Sequence, residues 1–243
     1  MNEFRIQNSE FGIPPAVLEA GRPPGAAQFA GVLLHGRGGT PDAVIDLAAR
    51  LGLDGGRWLA PAADGGSWYP NRFMEPVASN EPSLSRAIER CDAVVRDAAE
   101  RGRLSAGRIA VIGFSQGACL AVEYAVRHPG RCGALVVFTG GLIGPPGTNW
   151  QPAARTLVGL RVLVTGSDVD EWVPAARVRE TAQVLTAKGA DVQLRLYTRR
   201  AHVVSDDEIV EARAFLESWL ASNILGHRRP SRFPPPRKPG RGR

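Results

Sequence analysis

The sequence predicts an α/β fold with three layers, in which a mostly parallel central sheet carries helices on both faces. Short apolar segments rich in branched side chains alternate with longer segments whose apolar residues recur every three or four positions. That alternation is typical of parallel strands joined by crossover helices. The strand-like segments are apolar almost throughout, as parallel strands buried on both faces tend to be.

The alternation resolves into strands and helices that follow one another along one domain. Six segments are predicted as strands: 30–36, 57–63, 108–114, 134–141, 160–167 and 192–198. Five are predicted as helices: 40–52, 83–101, 116–127, 174–188 and 206–220. The first helix begins with Thr40 as the expected N-cap and Pro41 at the first helical position, an arrangement that helix starts favour.

The positive charge of the chain is concentrated at its end. The formal net charge is +6, but residues 228–243 hold seven of the 30 basic residues and no acidic one. This stretch is rich in proline and arginine, so it cannot bury a core. We predict a domain over 1–226 and a disordered basic tail over 227–243. A solvated tail is the favoured interpretation, and a weak contact with nucleic acid or an anionic surface stays open.

Composition is typical of an ordinary globular protein, with 44% apolar and 22% charged residues. The polar start lacks the features of a signal peptide, and the longest apolar stretch falls well short of the ~18–20 residues that span a membrane. The three cysteines lack the close pairing of metal sites and are expected to be reduced. These observations predict a cytoplasmic protein without a membrane span, and they leave a homodimer open.

Ser115 lies at the junction between a predicted buried strand and a predicted helix, in the stretch "IGFSQGA". A tight turn there would project the hydroxyl above the carboxyl edge of the sheet, where a substrate can approach. Gly113 and Gly117 would remove side chains that clash in such a turn. The pattern G-x-S-x-G in this setting is typical of a nucleophilic serine. The motif alone is weak, since a glycine-rich turn with an incidental serine looks the same.

The stretch "LLHGRGG" follows an upstream strand and supplies a second piece of the predicted site. In hydrolases with such a serine, the loop at this place and the residue after the serine each donate a backbone N–H to the developing oxyanion. The N–H groups of Arg37 and Gln116 are therefore the candidates for an oxyanion hole.

An acid and a base follow in the expected chain order. Asp168, Asp170 and Glu171 all lie between a strand and a helix, where a carboxylate could orient a histidine. Of the four histidines, only His202 falls after these acids and before the last helix. His35 precedes the serine, where a structural hydrogen bond is the better interpretation.

The chain resembles the carboxylesterase/phospholipase family of α/β-hydrolases, which includes acyl-protein thioesterases, and within it a bacterial carboxylesterase branch. The matching stretches are "LLHGRGG", "SWYPNRFMEP", "NEPSLS", "GFSQGA", "GSDVDEWVP" and "AHVVSDDE". The resemblance implies that Asp170, four residues before Pro174, is the acid of the triad and that Asp168 supports its loop. The chain departs from the family at Glu171 and Trp172 and in the turn Arg199, Arg200 and Ala201 before the histidine.

Together these residues predict a serine carboxylesterase in which His202 activates Ser115, Asp170 holds the imidazole, and no metal or organic cofactor is required. The expected partner is a small-molecule ester. The predicted pocket residues are Trp68, Phe73, Leu142 and Trp172. A lysophospholipase or an acyl-protein thioesterase is the alternative among enzymes. Outside enzymes, a binding module of the same fold that acts through the basic tail is the alternative.

Overall fold

The computed structural model describes residues 5–7, 17–150 and 155–226. The predicted tail, 227–243, lies outside the described residues, as do parts of the predicted domain 1–226, so this division of the chain stays a prediction. None of the helices in the described part is long and apolar enough to cross a membrane.

The described strands form one sheet in the order β1-β2-β4-β3-β5-β6-β7-β8. Their bounds are β1 Arg5–Gln7, β2 Val17–Gly21, β3 Phe29–Leu34, β4 Gly56–Pro61, β5 Ile109–Phe114, β6 Ala134–Phe138, β7 Arg161–Ser167 and β8 Asp191–Tyr197. The pairs from β4 to β8 are parallel, whereas β1 and β2 add an antiparallel edge. The predicted α/β architecture with a mostly parallel sheet is confirmed.

Helices cover both faces of this sheet. Their bounds are α1 Pro41–Leu51, α2 Ser83–Gly102, α3 Gln116–Arg127, α4 Ala175–Ala187 and α5 Asp206–Gly226. One hydrophobic cluster joins α1 and α5 to one face, and a second joins α2, α3 and α4 to the other. Adjacent residues such as Val111 and Ile112 enter opposite clusters. This double burial explains why the central strands are apolar throughout.

Element boundaries differ from the sequence prediction at a few informative places. The predicted strand 134–141 ends at Phe138, because Thr139 adopts a φ of 52° and the chain turns away from the sheet. A Cβ on Gly140 would lie 2.4 Å from Ala118 Cβ, so the turning segment packs directly against α3. Thr40 caps α1 as predicted and accepts a hydrogen bond from the N–H of Ala43 at 3.5 Å.

The strands β3, β5, β6, β7 and β8 run parallel and therefore end at one edge of the sheet. The loops that follow them bring together segments that are far apart in sequence. His35, Ser115, Thr139, Asp168 and Thr198 are the first residues beyond these strands. Open α/β sheets bind their ligands at this edge.

Candidate active site

Ser115 occupies the sharp turn between β5 and α3. Its backbone has φ 53° and ψ −118°, a conformation that costs a residue with a side chain about 1–3 kcal/mol. Two backbone hydrogen bonds hold it there: its N–H donates to the Phe138 carbonyl at 3.0 Å, and its carbonyl accepts from the Cys119 N–H at 3.0 Å. The neighbouring strand and the first turn of the helix thus maintain the strained backbone.

The two glycines around Ser115 are required by close backbone contact. A Cβ on Gly113 would lie 2.3 Å from the Gly117 carbonyl oxygen, and a Cβ on Gly117 would lie 2.1 Å from the Leu34 carbonyl oxygen. Real Cβ atoms do not approach backbone atoms so closely. The expected steric reason for the glycines is therefore visible in the structure: α3 starts in direct contact with both β5 and β3.

His202 and Asp170 complete a continuous hydrogen-bonded chain with the serine. His202 Nε2 lies 2.8 Å from Ser115 Oγ, and His202 Nδ1 lies 2.8 Å from Asp170 Oδ2. The Asp170 side chain is fully buried, while that of His202 is 18% exposed. The second carboxylate oxygen of Asp170 accepts the N–H groups of Trp172 at 2.9 Å and Val173 at 2.8 Å. The loops after β5, β7 and β8 thus meet in one arrangement.

The other two candidate acids do not contact the histidine ring. Asp168 Oδ1 accepts the backbone N–H of Arg199 at 2.7 Å, which ties the loop after β7 to the loop that carries His202. Glu171 is exposed. Asp170 therefore makes the carboxylate contact to His202, while Asp168 joins the two loops.

The backbone of Arg37 lies in the loop after β3, and Gln116 is the first residue of α3. The first N–H groups of a helix have no acceptor within the helix and point outward with a partial positive charge. Gln116 N–H is such a group, in the residue that follows Ser115.

The side chains of Arg37 and Gln116 have a role that sequence reasoning missed, because both bind segment 67–71. The Arg37 guanidinium donates to Ser67 Oγ and to the carbonyls of Pro70 and Asn71 at 2.7–3.0 Å. The Gln116 amide is buried; it donates to the Tyr69 carbonyl at 2.7 Å and accepts from the Trp68 N–H at 3.1 Å. The sequence showed only that a glutamine follows the serine directly; that this glutamine is buried came from the structure.

His35 is a buried, neutral support of the loop after β3. Its Nδ1 donates to the Gly36 carbonyl at 2.8 Å, and its Nε2 accepts the Ala63 N–H at 3.1 Å. Burial lowers the pKa of His35 below its ordinary value of 6.5, against a smaller opposite effect of the Gly36 hydrogen bond. The predicted structural hydrogen bond is observed.

The four predicted pocket residues fall into two groups. Leu142 is fully buried, and Trp68 is 3% exposed with its indole N–H donating to the His35 carbonyl at 2.8 Å. These two side chains belong to the core beneath the site. Phe73 is half-buried, and Trp172 is 57% exposed with its ring 6.5 Å from the His202 ring. Solvent therefore reaches chiefly the latter two.

The three cysteines are free and buried, so their thiols are poor candidates for a second nucleophile. Burial raises the pKa of the Cys119 thiol to about 11 and that of Cys132 to about 12, and the pKa of Cys91 is also raised by burial. No group of three or more potential metal ligands occurs in the part of the chain that the structure describes.

We expect Gly117→Ala to lower the free energy of unfolding by at least about 2 kcal/mol, because the new methyl group meets backbone rather than a movable side chain. Gly130→Ala is the control: Gly130 has a positive φ, which Gly117 does not, but a Cβ on Gly130 meets nothing within 4 Å. In that control the free energy of unfolding should fall by only about 1 kcal/mol, the conformational cost of a positive φ for alanine. Urea unfolding of both variants tests this prediction. An equal fall in the free energy of unfolding of the two variants would contradict the steric explanation.

The lowered pKa of His35 predicts an acid-dependent loss of stability. Its contribution is complete above the unfolded pKa near 6.5 and is lost as the pH falls through the folded pKa, because the unfolded chain then binds a proton that the folded chain does not. The free energy of unfolding of His35→Gln should therefore fall less steeply between about pH 6.5 and 5 than that of the wild type. The difference is at most about 1.4 kcal/mol per pH unit. If denaturant titrations show that the free energy of unfolding depends on pH in the same way in the variant and the wild type, the lowered pKa of His35 does not contribute to stability.

The sequence and the fold were compared with known proteins. The sequence profile of the phospholipase/carboxylesterase family matches residues 21–220. Esterase YpfH of Escherichia coli (strain K12) is 25% identical over 197 residues, which are 72% of this chain and 76% of that protein. Acyl-protein thioesterase 1 of Eremothecium gossypii is 27% identical over 117 residues, which are 46% of this chain and 48% of the relative.

A solved structure supports the same grouping. The crystal structure of a phospholipase/carboxylesterase from Dyadobacter fermentans DSM 18053 has a TM-score of 0.77 at 35% sequence identity, covering 86% of this chain and 100% of that one. Sequence and fold therefore agree: the chain belongs to the phospholipase/carboxylesterase family of α/β-hydrolases, a family of ester-cleaving hydrolases.

Proposed function

We propose that the protein is a serine carboxylesterase that hydrolyses small carboxylic esters through an acyl-enzyme intermediate. The observation that carries the proposal is the pair of 2.8 Å contacts that connects Ser115 Oγ, the His202 ring and Asp170 Oδ2. An alcohol becomes an effective nucleophile when a base lies within hydrogen-bond reach and a third group orients that base. These contacts meet both conditions.

The partners of His202 assign its protons. Nδ1 faces a carboxylate that can only accept, so Nδ1 carries the hydrogen and Nε2 presents a lone pair to the serine hydroxyl. As Ser115 attacks the ester carbonyl, Nε2 takes its proton, and Asp170 stabilises the imidazolium that forms. The protonated ring then donates to the leaving alcohol, and water repeats the sequence on the acyl-enzyme.

The oxyanion that develops on the carbonyl would bind the backbone N–H groups of Arg37 and Gln116. Gln116 supports this assignment by its place at the start of α3, where the helix dipole favours negative charge. Each such donor contributes about 3–4 kcal/mol to the transition state in comparable sites. The bonds of both side chains to segment 67–71 hold the two donors in a fixed relation.

An apolar rim supports an ester with an apolar substituent. Three of the large apolar residues with high exposure flank the triad in sequence: Val169 at 57%, Trp172 at 57% and Val203 at 51%. Trp172 lies against the His202 ring, and the half-buried Phe73 follows the segment that Arg37 binds. We propose Trp172 and Phe73 as the pocket residues that contact the acyl or alcohol group.

A cytoplasmic location is part of the proposal. All three cysteines are free and buried. Reduced thiols are typical of cytosolic proteins.

The serine mechanism predicts that Ser115→Ala lowers kcat for p-nitrophenyl acetate or butyrate by roughly 10⁴–10⁶-fold, the loss seen when a triad serine is removed. Circular dichroism should remain that of the folded wild type. Ser222→Ala, an exposed serine in α5, is the matched control and should keep full activity.

A fluorophosphonate probe should label the wild type at Ser115 and leave Ser115→Ala unlabelled. Iodoacetamide should not inhibit, because the thiols are buried with raised pKa values. Removal of residues 228–243 should leave hydrolysis unchanged. A wild type without esterase activity, whose binding to an acidic partner is lost on removal of the tail and unchanged in Ser115→Ala, would instead favour the binding module.

The apolar rim predicts that Trp172→Ala raises KM for p-nitrophenyl butyrate about tenfold, the equivalent of a lost aromatic contact of about 1.4 kcal/mol. The effect on kcat should be small. Val158→Ala is the control, because Val158 is 65% exposed but precedes β7 and so lies at the opposite edge of the sheet. Steady-state kinetics with esters and with acyl thioesters show which of these two substrate classes the protein prefers. An unchanged KM in Trp172→Ala would show that this residue does not contact the substrate.

A further inference from the structure

Arg200 is a buried cation two residues before His202. The residue is only 8% exposed, and its guanidinium reaches the backbone on both sides of the histidine. Nη1 donates to the Ala201 carbonyl at 2.8 Å and also to the Val203 carbonyl. One side chain therefore fixes both carbonyls that flank His202.

The charge of Arg200 is balanced by Glu208, which is itself fully buried. Arg200 Nε and Glu208 Oε2 form an ion pair at 3.2 Å, although not with hydrogen-bond geometry. Glu208 accepts the Ser205 N–H at 2.9 Å, and the Glu208 N–H donates to Ser205 Oγ at 3.3 Å, so the pair forms a capping box at the start of α5. Glu208 Oε1 also accepts the Thr165 hydroxyl of β7 at 2.6 Å.

The same guanidinium reaches the strand that holds the serine backbone. Arg200 Nη2 donates to Thr139 Oγ1 at 2.7 Å. Thr139 is buried, has a φ of 52°, and directly follows Phe138, whose carbonyl accepts the Ser115 N–H. Arg200 is therefore linked by hydrogen bonds both to the histidine loop and to the residue beside the anchor of Ser115.

The contacts of Arg200 are better explained by a role in fixing the loop that carries His202 than by a general increase in the stability of the fold. A buried ion pair is weak evidence for stability, since apolar residues of the same volume often serve as well. The His202 segment lies between β8 and α5 and has no regular secondary structure to hold its backbone. Side-chain bonds to its carbonyls fix both position and direction, which apolar packing does not.

We propose that Arg200, charge-balanced by Glu208, is a positioning residue that holds the His202 imidazole in line between Ser115 and Asp170. This inference rests on the proposed serine mechanism. A misplacement of about 1 Å in such a site can cost about 10²-fold in rate. Arg200 belongs to the turn in which this chain departs from the family pattern, so the device is a feature of this chain.

The test uses the double variant Arg200→Met/Glu208→Gln in the full chain. Replacement of Arg200 alone would leave a buried, unpaired carboxylate and endanger folding. Glutamine at 208 removes that charge and still supports the capping box. The exposed pair Arg195–Glu211, at 2.9 Å between β8 and α5, gives the matched control Arg195→Met/Glu211→Gln.

Fluorophosphonate labelling of Ser115 separates positioning from folding. The amplitude of labelling gives the fraction of molecules that are folded and able to react. The rate constant of labelling reports how well His202 activates Ser115 in those molecules. We expect the double variant to show wild-type amplitude with a rate constant and kcat lowered about 10–100-fold, and KM within about twofold of the wild type. Arg200→Lys should recover part of the loss, and the control pair should behave as the wild type.

The two possible failures are distinct. A double variant with reduced amplitude but an unchanged rate constant would overturn the inference, because Arg200 would then serve stability alone. Equal losses of rate in the control pair would overturn it as well. A wild type that the probe does not label at Ser115 would overturn the serine mechanism itself, and the inference with it.

Discussion

The close approach of α3 to the sheet is the constraint on which the rest of the site depends. The helix begins so near β5 and β3 that the Gly117 position contacts the carbonyl of Leu34, and no side chain fits there. Ser115, at the turn into this helix, has a positive φ, and Gln116 is the first residue of α3. This close packing thus surrounds the turn that carries the proposed nucleophile and one of the two proposed oxyanion donors.

The parallel strands bring further loops to the edge of the sheet at which Ser115 lies. Since β3, β5, β6, β7 and β8 end at one edge, each following loop can contribute one group without a long connection. The loop after β7 presents Asp170, the loop after β8 presents His202, and the loop after β3 presents Arg37. Ser115, Asp170 and His202 are separated by tens of residues in sequence and joined by contacts of 2.8 Å in space. Chain order predicted Ser115 and His202, whereas the choice of Asp170 among three neighbouring acids came from the family resemblance.

Prediction from sequence succeeded where apolar pattern or motif dictates structure, and failed where a single side chain decides. The central strands and helices followed from their apolar runs. Asp170 as the acid of a triad came from the family resemblance and stays a prediction, supported by its 2.8 Å contact with His202. The short strands β1 and β2 lack such runs and were missed, since partners at the sheet edge define them. Trp68 and Leu142, predicted as pocket residues, are buried in the core, since the sequence does not distinguish core from pocket among apolar residues near a site.

The site is held by directional polar contacts rather than by apolar packing. Loops at a strand edge leave backbone N–H and C=O groups without sheet partners, and buried groups of this kind must be satisfied. Here buried side chains satisfy them: Asp170 accepts two N–H groups, and Arg200 donates to two carbonyls. Each such bond fixes a direction, whereas the hydrophobic effect is non-directional. With the loops held in this way, Trp172 can remain 57% exposed, as its proposed role in contacting the substrate requires.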